Sequence, residues 1–224
     1  MCYTLQISIQ ALLINLISGI YLYYTADEIA ARGGANANEL RAIALFFLFV
    51  GGMQMWDTIF WLTQGAEKDQ TVCSINRAST KAAMLWNHAE PLILMAVIIY
   101  VIGKKMPIES KTVVICYAVS VIAYTCHAWK EIDQTRQTPE SGSSLDWQWN
   151  RSFGFRAVYT LFLICLFVLF YQNFTGWVKW LSILLTGISF GFSMYKYSIQ
   201  MSTGRFWCYF AAFAPLFYLC GNYI

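Results

Sequence analysis

Residues 40–63 read LRAIALFFLFVGGMQMWDTIFWLT, a run in which Arg41 and Asp57 are the only charges. A helix needs about 20 apolar residues to cross a hydrocarbon core of roughly 30 Å, so this run is long enough to span a bilayer with an acid inside it. Six further runs of similar length flank it, at 5–24, 81–103, 112–130, 155–172, 177–196 and 205–223. None alternates with period two, and in hydrocarbon each backbone amide must find its partner within its own segment, so the runs are expected to be helices. The expected fold is all-α: a polytopic membrane protein of seven transmembrane helices forming a single domain over 1–224, with one long polar loop at 131–156. The lipid bilayer is the first partner this implies.

Composition agrees, with 58% hydrophobic and 12% charged residues among 224, against about 25% charged in an ordinary soluble domain. The formal charge of +3 is small and scattered, and no run of Lys or Arg suggests nucleic acid. The seven cysteines show no CxxC pair, and those in apolar runs read as small hydrophobes rather than a disulfide scaffold. No cofactor motif is present. The first run lacks a basic flank and a small-residue cleavage site, so it reads as a retained crossing. Trp56, Trp61, Trp86, Trp129, Trp177, Trp180 and Trp207 lie toward the ends of runs, as an aromatic belt requires. With the crossings alternating, nine Lys and Arg fall on the face of the amino terminus and six on the other. That balance favours a cytoplasmic amino terminus. Two sequons, at Asn150 and Asn173, fall on opposite faces and read as chance.

Ionisable groups at bilayer depth cost about 2.5 to 3.5 kcal/mol on insertion scales, so each asks for a reason. Asp57 lies roughly 9 Å inside its run and Glu90 roughly 13 Å inside the next, counted from the same face at about 1.5 Å per residue. The two acids therefore share a depth on helices joined by a loop. Residues three or four apart share a helix face, which puts Gln54 with Asp57 and Asn87 with Glu90; His88 is turned from that stripe by about 100°. Pro91 has no amide hydrogen and frees the carbonyl of Asn87, and Pro215 does the same for Ala211; both are expected kinks. Arg205 opens the seventh run on the same face. His127, Trp147, Trp149 and Lys196 are the candidates for a vestibule there, with the long loop able to fold over it. Ser182, Thr186, Ser189 and Ser193 recur along the sixth run as lining or as packing contacts.

Two uses of this cluster are open. Lys81 and Arg205 would neutralise Asp57 and Glu90 in a structural ion-pair network, or one acid remains unpaired and serves as a proton carrier, for which Glu90 is the deeper. The first function class is a transporter or channel for a small polar or cationic solute, through a polar pocket between helices two, three and seven built by Gln54, Asp57, Asn87, His88, Glu90 and Arg205. The second is a structural or host-membrane interaction protein without transport. The third is an intramembrane metal-dependent hydrolase using His88, His127, Asp57 and Glu90, whose ligand types suit zinc but whose spacing fits no HExxH motif. An enzyme is the less favoured class, no metal is assigned, and the oligomeric state is not encoded in any feature found.

A shift of 124 positions lays Lys81 on Arg205 and Pro91-Leu92 on Pro215-Leu216, which suggests three helices, a linker helix and three more, a plan used by transporters built from parallel repeats. The layout resembles the sugar-exporter and PQ-loop transporters in architecture alone, since the chain has no Pro-Gln dipeptide. A closer likeness rests on Gln54-Met55-Trp56-Asp57 with Ile59-Phe60-Trp61, on Asn87-His88-Ala89-Glu90-Pro91, and on Gly204-Arg205-Phe206-Trp207-Cys208 with Ala211-Ala212-Phe213-Ala214-Pro215. On these the chain resembles a family of uncharacterised seven-helix membrane proteins of large DNA viruses and some protists. That resemblance implies an architecture and a viral or host membrane, and no chemistry.

Overall fold

The computed structural model describes residues 4–65, 69–137, 145–147, 149, 153–196 and 205–220, with the backbone alone for 193–196 and 205–206. Helix α1 (Leu5–Gly33) is followed by α2 (Ala37–Gly51) and α3 (Met53–Leu62), then by α4 (Gln70–Val97), which runs into a π-helical turn at Ile98–Ile102. After it come α5 (Ile108–Ala128), a two-residue hairpin pair β1 (Arg136–Gln137) and β2 (Leu145–Asp146), α6 (Phe155–Asn173), α7 (Gly176–Lys196) and α8 (Arg205–Cys220). The fold is all-α. Helices α2 and α3 are halves of one span interrupted at Gly52, whose amide hydrogen is shared among the carbonyls of Leu48, Phe49 and Val50. Five spans, Leu5–Gly33, Ala37–Leu62, Gln70–Ile102, Ile108–Ala128 and Phe155–Asn173, are long and apolar enough to cross a membrane, and two shorter apolar helices follow. The chain is accordingly read as a multi-pass integral membrane protein.

Local chemistry sets the helix ends. Thr4 Oγ1 accepts the amide of Ile7 at the start of α1, Asn36 Oδ1 accepts those of Asn38 and Glu39 at the start of α2, and Asp69 Oδ1 accepts those of Thr71 and Val72 at the start of α4. Gly34 closes α1 at φ 65°, and Gly103 closes the π turn at φ 74°, both in the left-handed region that glycine enters without a Cβ penalty. Apolar runs mark lipid rather than helix, so α4 begins eleven residues before the apolar run at Lys81. Its 28 residues rise about 42 Å, and the polar first turns of α4 therefore extend past the hydrocarbon.

The helices go round in sequence order, each packed on the next, and the ring closes where α8 meets α1; α2 also touches α8, and α4 touches α6. The neighbour pairs α1 with α2 and α2 with α4 have counterparts in α6 with α7 and α7 with α8. Polarity is arranged for lipid. Exposed apolar residues line one face of α1 (Leu13, Ile17, Ile20, Tyr24) and one of α5 (Ile108, Ile115, Val119, Ile122), while Asn15, Gln54, Asp57, Asn87 and Glu90 are fully buried. A soluble domain would show the reverse.

Helix α1 approaches the rest of the bundle closely because two glycines allow it. A Cβ on Gly51 would fall 2.2 Å from the carboxamide carbon of Asn15, and one on Gly19 would fall 2.6 Å from Leu48. Asn15 Nδ2 donates to the carbonyls of Phe47 (3.0 Å) and Ala212 (3.4 Å), joining α1, α2 and α8.

At the end of the bundle opposite the amino terminus, Glu39 accepts from Lys104 Nζ (2.8 Å) and from the amide of Thr175 (2.9 Å), and Lys104 also donates to the carbonyl of Asn173 (2.7 Å). Asn173 is buried and donates to Ser110 Oγ and the carbonyl of Leu169, so its sequon is folded into the core. The Asn150 sequon lies outside the described residues. At the amino-terminal end, Asn76 donates to Thr63 Oγ1 (2.6 Å) and to the carbonyl of Thr135 (3.1 Å), and the amide of Thr135 donates back to Asn76 Oδ1 (2.8 Å). This latch holds the start of the α5–α6 loop against α3 and α4. Beyond it, Arg136 pairs with Asp146 and Gln137 with Leu145, which turns the chain toward the bundle at Trp147.

Candidate functional site

Glu90 lies about three-quarters of the way along α4, one residue before Pro91, and is fully buried. Its Oε2 accepts from Trp207 Nε1 on α8 at 2.6 Å, and its Oε1 accepts from Asn87 Nδ2, one turn back on α4, at 3.1 Å. Both donors are neutral. No described basic side chain forms an ion pair with Glu90; the four ion pairs among the described residues join Arg41 to Asp27, Arg77 to Asp133, Lys104 to Glu39 and His127 to Glu131. Lys81 instead stands over the ring of Trp129, 4.8 Å from its centroid. The backbone of Arg205 opens α8, and its side chain, like those of Lys196 and Ser193, lies outside the described residues.

The remaining groups arrive from four elements. Tyr159 on α6 donates its hydroxyl to Asn87 Oδ1. Trp149 Nε1 donates to the Tyr159 hydroxyl at 3.4 Å, and Tyr124 on α5 donates to the carbonyl of Trp149. Trp147 stacks on Trp149 with ring centroids 4.9 Å apart, and its Nε1 donates to Asp57 Oδ1 on α3 at 3.2 Å. Asp57 and Glu90 thus belong to one continuous polar and aromatic assembly that runs through the tryptophan pair, Tyr159 and Asn87. Gln54 is buried one helical turn before Asp57. Trp147 and Trp149 are buried completely, and both come from the long loop. His127 is about half exposed and lies 3.6 Å from Glu131 on the bundle surface.

His88 lies on α4 three residues before Pro91. Tyr117 on α5 donates to the backbone carbonyl of His88 at 2.8 Å, and the imidazole sits between Tyr124 and Tyr159, 5.4 Å from each ring centroid. Neither ring nitrogen has a hydrogen-bond partner among the described residues, although His88 is only 3% exposed. Pro215 is likewise buried in α8, where Asn15 takes the carbonyl of Ala212, next to the one Pro215 frees.

The sequence reading of Trp207 as part of an interfacial belt is overturned. It is 1% exposed, lies against Phe190 and Phe47, and supplies a hydrogen bond to Glu90. Position near the end of a run gives depth but not radial direction. Trp180, 58% exposed with Lys179 above its ring, does face outward. Tyr117, Tyr124 and Tyr159 are not conspicuous in the sequence, because a single Tyr in an apolar run is unremarkable until a neighbouring helix is placed beside it; Cys208, which accepts weakly from Asn87, has no site role in the sequence reading for the same reason. The hydroxyls of Ser182, Thr186 and Ser189 bond back to their own helix, and Ser182 meets Tyr218 at 2.6 Å. Among the described residues, no three His, Cys, Asp or Glu side chains converge as a metal-ligand set. No family model, curated protein or solved structure matches the chain.

Proposed function

We propose that this multi-pass membrane protein is a transporter or channel for a small polar or cationic solute, and that Glu90 is the centre of its pathway. Gln54, Asp57, Asn87 and His88 line the route between the second, third and seventh spans, with Arg205 at the amino-terminal end. The observation that carries this reading is the setting of Glu90: an acid buried well inside an apolar span, held by an indole and a carboxamide, with no described cation paired to it. An unpaired intramembrane acid is costly and typically marks an ion or proton path. Two neutral donors position the carboxylate without cancelling its charge, so a cation or proton arriving there finds an oriented partner. On this reading the amino-terminal face is cytoplasmic, and the chain is grouped with the seven-helix viral and protist proteins it resembles.

The test is flux through proteoliposomes, read for protons with a trapped pH dye and for radioactive rubidium. Wild-type protein is expected to carry at least one of them, and Glu90→Gln to lose that flux while keeping its unfolding temperature. Equal flux in the variant, or wild-type flux no greater than in empty vesicles, would overturn the proposal. The second outcome would favour a structural or host-membrane interaction protein, a reading supported by the same hydrogen bonds, which tie α4 to α6 and α8. A metal-dependent hydrolase has less support, since His88 is buried and His127 faces outward.

A further inference from the structure

A segment joining two crossings ordinarily runs over the surface, because its backbone polar groups need water. The chain between α5 and α6 departs from that pattern. Past the latch at Thr135 it carries Trp147 and Trp149 into the bundle, where both indoles are completely buried. The groups that receive them lie a short way in from the amino-terminal side. Asp57 is five residues from the end of α3, Tyr124 four from the end of α5 and Tyr159 four past the start of α6, which is about 6 to 8 Å along each helix axis. Glu90 is deeper, nine residues past Lys81, or about 13 Å. The stacked indoles therefore form a layer on the amino-terminal side of Glu90, and Asn87, Glu90 and Cys208 beneath it are fully buried.

This layer is held from outside the hydrocarbon. The first turns of α4 present Cys73, Asn76, Arg77 and Thr80 along one face, and each of them meets the segment 133–136. Arg136 donates to Cys73 Sγ at 3.5 Å, Asn76 and Thr80 both donate to Thr135, and Arg77 pairs with Asp133 at 3.0 Å. The Arg77 and Asp133 side chains are each more than half exposed. Polar contacts at the water edge can be exchanged for water at a small net cost. The segment can thus leave α4 without any helix shifting against its neighbours. Withdrawing two indoles gives up apolar burial, so the closed arrangement is the resting one.

We infer that Trp147 and Trp149 are a plug carried on a strap: they close the Glu90 centre off from the amino-terminal aqueous side, and the plug withdraws when residues 133–136 leave α4. That the plug gates a solute path rests on the transport reading above; that it bars water-borne molecules from the centre does not.

Cys208 is the reporter. Its sulfur lies 3.8 Å from Asn87 Nδ2, on the path Trp149–Tyr159–Asn87, and a thiol reacts only where a reagent reaches it. The full chain in lipid nanodiscs is treated with a charged, membrane-impermeant methanethiosulfonate, and modification of each cysteine is followed by mass spectrometry of its peptide. In wild-type protein Cys208 is expected to react at least tenfold more slowly than Cys126, which is exposed near the end of α5. Trp147→Ala combined with Trp149→Ala is expected to speed Cys208 at least tenfold and to leave Cys126 unchanged. A second variant keeps both indoles. The hydroxyl oxygens of Thr80 and Thr135 are 3.1 Å apart, so Thr80→Cys combined with Thr135→Cys lets oxidation tie the strap to α4. Cys208 is expected to react at least tenfold more slowly in the cross-linked protein than after reduction. Three results would each overturn the inference: wild-type Cys208 as reactive as Cys126, equal Cys208 rates with and without the indoles, or equal rates in the cross-linked and reduced protein. The first needs no variant to fold. Glu90-dependent flux alongside any of these three would keep the transport reading and sink the plug. Plug-dependent labelling without flux would do the opposite.

Discussion

Glu39 and Glu90 are both buried, at 1% and 0% exposure, yet the fold treats them differently. Glu39 lies at the end of the bundle, where Lys104 supplies a full opposite charge and Thr175 an amide and a hydroxyl. Through these bonds it fastens the start of α2 to the starts of α7 and the turn after α4, and the N-terminus of α7 favours an acid there. Glu90 sits within α4 and, among the described residues, receives an indole and a carboxamide. The first acid is compensated and belongs to the architecture. The second is oriented by two neutral donors and forms no ion pair with any described side chain.

The largest expected effect comes from breaking the compensated acid. Lys104→Met should cost about 3 kcal/mol, the low end for removing one partner of a buried pair, because Lys104 is itself about one-third exposed. Unfolding in mixed micelles measures it, and a loss below about 1 kcal/mol, the ordinary value of a surface pair, would put Glu39 in the same class as the exposed Arg77–Asp133 pair. Trp207→Phe comes next. It keeps most of the aromatic volume but removes the donor from a buried carboxylate, a loss of about 1–3 kcal/mol. No change in stability would mean that the indole hydrogen bond does not support Glu90. The smallest stability effect belongs to Glu90→Gln, expected within about 1 kcal/mol of wild type, the net worth of a typical hydrogen bond, because an amide oxygen still accepts from one neighbour. The contrast between the two glutamates sharpens if this variant stays stable while losing flux, and it breaks if Glu90→Gln unfolds as readily as Lys104→Met.

An acid inside an apolar run is legible in the sequence, whereas the direction a residue takes around its helix is legible only where another polar residue lies three or four positions away. Asp57 and Glu90 stood out because an acid in an apolar run is conspicuous, and Asn87 followed from its three-residue spacing to Glu90. Trp207 looked the same as Trp180 at that level, though one turns inward to an acid and the other outward. Glu39 is inconspicuous in the sequence, because an acid next to the turn at 33–38 is ordinary; its burial depends on Lys104 and Thr175, 65 and 136 residues further along the chain. The loop supplied the other surprise. Its Trp147 and Trp149 were candidates for a vestibule, but that the pair stacks and reaches Asp57 and Tyr159 is fixed by the Asn76–Thr135 latch, a contact between segments 59 residues apart.

Asn15 has a consequence for biogenesis. Helix α1 carries a carboxamide whose partner on Phe47 is available as soon as α2 is made, but whose partner on Ala212 is synthesised 197 residues later. The seam between α1 and α8 is therefore sealed only after Ala212 has been synthesised. Until then the amino-terminal helix is held by the narrow contact at Gly19 and Gly51, and the bundle matures by closing a circle rather than by growing a stack.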